Sequence, residues 1–106
     1  MKEYIEPARR IPVSHEADVC IAGGGPAGAA AAVSAARLGL RVVLVEQTAA
    51  PGGMMTQANQ WLSDFRNKGG IPREFLSLLR EAGACRWPYY NPFEAASLLD
   101  ELVCNS

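Results

Sequence analysis

Six consecutive residues, Gly23-Gly24-Gly25-Pro26-Ala27-Gly28, constrain this chain more than any other feature in it. They lie between a short apolar run, Val19-Cys20-Ile21-Ala22, and strong helix formers from Ala27 to Leu38. Glycines 23, 25 and 28 fit the spacing G-x-G-x-x-G, and each has a separate physical task. Gly23 permits a tight turn out of a strand, Gly25 leaves bare backbone for a diphosphate to approach, and Gly28 lets the following helix lie close to the strand. Pro26 suits the first helical turn, and Gly39, after Arg37 and Leu38, suits a C-cap. Arg41-Val42-Val43-Leu44-Val45-Glu46 then reads as a second strand rich in β-branched residues. Neither apolar run alternates with polar residues, which predicts strands buried on both faces. Strand, turn, helix and strand make a βαβ unit with a right-handed crossover.

A glycine cluster alone is weak as a binding signal. Here it is answered by Glu46 at the end of the second strand, with residues 29–45 between it and Gly28. That spacing brings a carboxylate beside the adenosine ribose of a dinucleotide, where it can accept hydrogen bonds from both hydroxyls. The helix after the glycines points its unsatisfied N–H groups and the positive end of its dipole at the phosphates. An ordinary tight turn followed by a solvated strand-end charge is the plain alternative. The agreement of motif, context and acidic partner outweighs it. The acidic residue also argues against a 2′-phosphate, and so against NADP.

Past Glu46 the chain reads as loop through Pro51-Gly52-Gly53 and on to Lys68-Gly69-Gly70. A helix is predicted from Pro72 to about Ala82, with Phe75, Leu78, Leu79 and Ala82 on one face and Gly83 as terminator. Trp87-Pro88-Tyr89-Tyr90 reads as an aromatic connector. A last helix starts with Asn91 as N-cap, Pro92 first and Glu94 third in a capping-box pattern, and its face is Ala95, Leu98, Leu99, Leu102 and Val103. Residues 1–17 form an arm with Pro7 and Pro12, and residues 18–106 form an incomplete domain. Two strands leave two sheet edges unpaired, and a doubly wound domain needs more strands. The chain is therefore expected to be the N-terminal part of a larger protein, or a fragment completed by a partner chain.

Composition narrows the function classes. The 106 residues suit one small domain, and ten Lys+Arg against eleven Asp+Glu give a formal charge of −1, without the basic footprint of nucleic-acid binding. Cys20, Cys85 and Cys104 are odd in number and form no C-x-x-C pair, so neither a disulfide scaffold nor a cysteine metal site is expected and the cytoplasm is the default compartment. Residues 19–36 carry no charge, but the glycines and Pro26 interrupt any spanning helix, and Glu16 and Asp18 stand where an export signal carries positive charge. Neither membrane nor metal is expected.

NAD and FAD share the βαβ grip, so the glycines alone do not separate them. Beyond the glycines, the sequence resembles a family of bacterial FAD-dependent oxidoreductases with a glycine doublet. The similar residues are the arm Arg9-Arg10-Ile11-Pro12-Val13, then 17–28, Ala35-Ala36-Arg37-Leu38-Gly39, Val43-Leu44-Val45-Glu46-Gln47 and Gly52-Gly53-Met54-Met55-Thr56. Gly70-Ile71-Pro72 and residues 91–103 match more loosely. The resemblance implies an α/β fold, a partial Rossmann-like (βαβ) FAD/NAD(P)-binding domain from a two-domain flavoprotein. It implies extended FAD with its adenine end on the βαβ unit and its isoalloxazine reaching a second, substrate-binding domain. The cofactor-binding set is then Gly23, Gly24, Gly25, Pro26, Ala27, Gly28, Glu46, Gln47, Gly52, Gly53, Met54 and Thr56. Gly52, Gly53 and Met54 would run along the pyrophosphate and ribityl chain, with Thr56 and Gln57 nearer the ring.

The remaining candidates have plainer readings. His15, the sole histidine, belongs to the polar arm, and Cys20 reads as a small buried hydrophobe. Trp61, Phe65, Trp87, Tyr89 and Tyr90 read as loop packing before pocket lining, and Asp64, Arg66 and Lys68 as a solvated stretch. No catalytic residue is nominated. The leading expectation is the FAD-binding portion of a flavin-dependent oxidoreductase acting on a small molecule, inactive as a fragment. An NAD-binding dehydrogenase domain and a non-catalytic nucleotide-binding fragment are the alternatives.

Overall fold

A computed structural model describes residues 1–58, 67–86 and 89–106. Strand β1 (Val19–Ala22) leaves the arm and passes through the glycine turn into helix α1 (Pro26–Arg37), which returns the chain to strand β2 (Val42–Val45). The two strands pair in parallel, with Val19 beside Val42 and Ala22 beside Val45. Asp18 fixes the start of this ladder. Its carboxylate accepts from the backbone N–H of Arg41 at 2.8 Å and from that residue's guanidinium at 2.9 and 3.2 Å, which holds the Asp18 carboxyl below its usual pKa. At the other end Gly23 N–H donates to Val45 carbonyl at 2.8 Å. Helix α1 begins with Pro26 at its first position and ends at Leu38 and Gly39, whose φ of +83° carries the chain out of the helix.

A short helix α2 (Met54–Gln57) follows the glycine doublet, then helix α3 (Gly70–Glu81), a small antiparallel ribbon of β3 (Cys85–Arg86) and β4 (Tyr89–Tyr90), and helix α4 (Pro92–Cys104). Helix α1 lies between the strand pair on one side and α3 and α4 on the other. Its alanines make this possible. Gly28 occupies the sheet side, where Ile21 is the neighbour, Ala32 one turn on is buried, and Ala29 and Val33 join the helical core. That core holds Met55 of α2, Phe75, Leu76 and Leu79 of α3, and Ala95, Leu99 and Leu102 of α4. Burying a side chain the size of Phe75 or Leu79 stabilises by about 1.5–3 kcal/mol.

Several expectations need correction. Among the described residues the strands are covered on one face only, and Cys20 is exposed and Val45 54% exposed. All the helices packed on this unit gather on the α1 side, and apolar composition alone cannot tell one covered face from two. Helix α3 starts at Gly70 rather than Pro72. Its buried arc includes Leu76 instead of Ala82, which lies beyond the last helical residue and is exposed. The stretch Met54–Gln57 is helical where loop was expected, and Tyr89–Tyr90 is a strand rather than part of a connector. Asn91 does cap α4, its side chain accepting from Phe93 N–H at 3.0 Å and Glu94 N–H at 3.4 Å. The reciprocal half of the capping box is missing: Asn91 N–H donates instead to Ala84 carbonyl at 2.8 Å, tying α4 to the ribbon. Trp61, Asp64, Phe65, Arg66 and Trp87 lie outside the described residues.

Candidate functional site

The glycine turn, the end of β2 and the doublet loop meet at one edge of the molecule. Gly23 adopts φ +100°, a conformation that strains any side-chain-bearing residue. Gly28 is required by its own chain: a Cβ there would stand 1.8 Å from the Gly23 carbonyl oxygen and 3.5 Å from Ile21. Close approach of helix and turn is thus its main demand. Gly25 is different. It is the N-cap of α1, with extended backbone at φ −64° and no capping side chain, and a Cβ there would meet nothing within 4 Å. A bare main chain at the positive end of a twelve-residue helix, facing open space, is what an anionic diphosphate fits. Pro26 and Ala27 are exposed beside it.

Glu46 reaches this turn. Its Oε2 accepts from Gly24 N–H at 2.6 Å, and its Oε1 accepts from both the N–H and the hydroxyl of Thr48, each at 2.8 Å. Thr48, through its hydroxyl first and its backbone second, and then Gly24 N–H hold the Glu46 carboxyl below its ordinary pKa. It is therefore an anion at neutral pH. The geometry also explains the glycine at position 24, which the G-x-G-x-x-G spacing leaves unspecified. A Cβ there would press on Glu46 Oε2 at 2.9 Å.

The doublet is close by. Gly52 N–H donates to Gly24 carbonyl at 2.7 Å, so this donor is committed to the protein. Gly52 adopts φ +112°, and a Cβ on it would lie 2.3 Å from Thr56. On Gly53 a Cβ would come within 3.2 Å of Gly25 Cα. The two glycines dock one loop against the other. Thr56 donates its hydroxyl to Pro51 carbonyl at 2.9 Å, Met54 is exposed, and Gln47 is exposed next to Glu46. Gln57, expected nearer the flavin ring, donates its amide to Thr48 Oγ1 at 2.5 Å and so joins α2 to the loop after Glu46. Thr48 escaped the sequence reading, although a hydroxyl two residues after the strand-end carboxylate was the signal available.

An apolar cavity of about 240 Å³ opens beside Pro26 and Ala27 between α1, Met55, Phe75 and Leu99. Tyr90 is not on its wall. Its hydroxyl donates to the Met55 carbonyl, joining β4 to α2, and burial raises its pKa. His15 sits exposed in the arm beside Ser14. Among the described residues no group of histidine, cysteine and carboxylate side chains is placed to hold a metal, and no helix is long and apolar enough to cross a membrane.

Comparison with known proteins fits this geometry. The sequence profile of the FAD dependent oxidoreductase family matches residues 18–106. The chain belongs to this family. Its α/β architecture, with a parallel strand pair and helices, is that of a partial Rossmann-like FAD-binding unit. Among curated proteins, 46 residues are 44% identical to a dihydrolipoyl dehydrogenase of Manduca sexta and 46 residues are 46% identical to a mitochondrial dihydrolipoyl dehydrogenase of Caenorhabditis elegans. Each match covers 43% of this chain and 9% of the relative's length. No solved structure matches the chain at a significant level.

Proposed function

We propose that this chain holds the adenosine-diphosphate half of FAD in a flavin-dependent oxidoreductase that acts on a small molecule. One observation carries the reading: the space over Gly25 at the head of α1 is open, and an ionised Glu46 is locked to the adjoining Gly24. Diphosphate oxygens would accept from the free N–H groups of the first turn of α1, around Gly25, Ala27 and Gly28, with Gly23 shaping the turn and Pro26 setting the helix start. Glu46 would accept from the ribose, with Gln47 flanking it. Gly52 and Gly53 would act by holding the loop against Gly24 and Gly25, and Met54 and Thr56 would lie toward the flavin end. Bound there, FAD supplies the acceptor for a hydride or electron pair from the substrate. The chain's own residues bind and orient it.

The acidic strand end supports a ribose with free hydroxyls over a 2′-phosphate. The near-neutral charge supports a partner other than nucleic acid, and three free cysteines support a reducing, cytoplasmic setting. Among the described residues β1 and β2 pair with each other and leave one face open, which suits cover by further polypeptide, of the same chain or of a partner. The arm 1–17 stands apart from the unit 18–106 in this reading. The test is the absorption spectrum of the purified protein, followed by heat release and chromatography of the bound nucleotide. Flavin bands and released FAD are expected. A colourless protein that binds NAD and leaves FAD untouched would replace the proposal with an NAD-binding dehydrogenase.

A further inference from the structure

We infer that Thr48, backed by Gln57, is the residue that positions Glu46 for the ribose, an inference that rests on the FAD reading above. Thr48 Oγ1 has one proton and two acceptors in reach, Glu46 Oε1 at 2.8 Å and Ala50 carbonyl at 3.1 Å. The charged oxygen is the stronger acceptor, so the proton goes to Glu46. Gln57 then completes the chain, one amide hydrogen on Thr48 Oγ1 at 2.5 Å and the other toward Ala50 carbonyl at 3.3 Å. Donor follows donor from α2 to the carboxylate without conflict. Thr48 N–H holds the same Oε1 at 2.8 Å, so this oxygen is occupied by the protein. The carboxylate is thereby turned to present Oε2, beside Gly24 N–H, to a ligand lying against the glycine turn.

An exposed glutamate free to change rotamer would lose conformational entropy on binding. The Thr48 relay removes part of that loss beforehand, which is preorganisation of a binding group through its neighbour. Two features separate this role from simple loop stability. Thr48 and Gln57 are exposed, so their removal leaves the core intact. Thr48 reaches the glycine turn through Glu46, which makes the two residues energetically coupled.

The experiment is a double-mutant cycle on the purified protein, with FAD affinity read from quenching of flavin fluorescence and thermal melting as a fold control. Thr48→Val should weaken FAD binding roughly three- to tenfold, the range of one hydrogen bond, with melting that stays cooperative, and Thr48→Ser should restore it to within about twofold of wild type. On a Glu46→Ala background, Thr48→Val should have no further effect. ADP used as competitor should lose affinity by the same factor as FAD, because the adenosine end is the part affected. Wild-type affinity in Thr48→Val, or additive losses in the double variant, overturns the positioning role while leaving the FAD reading intact. Failure of the wild-type protein to bind FAD overturns both.

Discussion

Glycines 25 and 28 belong to one motif but answer to different physics, and a pair of alanine substitutions separates them. In Gly28→Ala the new methyl would begin 1.8 Å from the Gly23 carbonyl oxygen. An ordinary C···O contact is about 3.3 Å, so helix and turn must part by roughly 1.5 Å. The turn cannot yield freely: Gly23 sits at φ +100° and its N–H is bonded to Val45 carbonyl at 2.8 Å. Overpacking against backbone costs about 3 kcal/mol, and alanine's better helix propensity returns about 1 kcal/mol. The net loss is about 2 kcal/mol or more, which lowers the melting temperature by roughly 8–16 °C for a unit of this size. Gly25→Ala meets no atom within 4 Å, and φ −64° suits alanine. Its stability should stay within about 1 kcal/mol of wild type, a less flexible unfolded chain offsetting alanine's weaker N-cap. Its FAD affinity should nevertheless fall at least about tenfold, since the methyl occupies the surface the diphosphate rests on. Calorimetry and flavin titration on the same two variants read both quantities. Wild-type FAD affinity in Gly25→Ala refutes Gly25 as the diphosphate surface, and wild-type melting in Gly28→Ala refutes the packing argument.

Three other outcomes are expected. Leu79→Ala, at a fully buried position of α3 between α1 and α4, should cost about 2–5 kcal/mol in denaturant unfolding. Asn91→Ala should cost about 0.5–2 kcal/mol through loss of the α4 cap, and an unchanged denaturation midpoint would show the cap to be idle. The lowered pKa of Glu46 makes its contribution to stability fully present above the ordinary carboxylate range and lost as pH falls through the lowered folded value. Melting curves across that acid range should flatten in Glu46→Gln, and an identical acid limb in wild type and variant would contradict the hydrogen bonds to Thr48 and Gly24.

What was legible beforehand was local. The turn needed glycine at 23 because of a backbone dihedral, α1 followed from alanines ahead of a glycine stop, and the spacing to Glu46 placed a carboxylate near the turn. Helix α4 announced itself through Asn91-Pro92 and a regular apolar face. Apart from the Glu46 spacing, which spans one βαβ unit, each of these demands is met by residues within a turn or a strand of one another, so adjacency in the chain records it. The glycine doublet was visible as a signal while its cause was not, since Gly52 and Gly53 are dictated by contacts with Thr56, Gly24 and Gly25. The four residues of α2 were too few to show a period, and the two-residue strands of the ribbon exist only through pairing.

The chain order alone therefore determined that a βαβ turn with an acidic strand end would form, because dihedral preference, helix capping and hydrophobic runs are properties of neighbours. Tertiary structure decided which sheet face is covered, where Cys20 lies, and how Gln57, Thr48 and Glu46 line up against Gly24. Those facts depend on returns of the chain across nine residues from Gln57 to Thr48 and twenty-two from Glu46 to Gly24. Whether two such distant groups meet is set by the packing of the whole core, and no local preference encodes it.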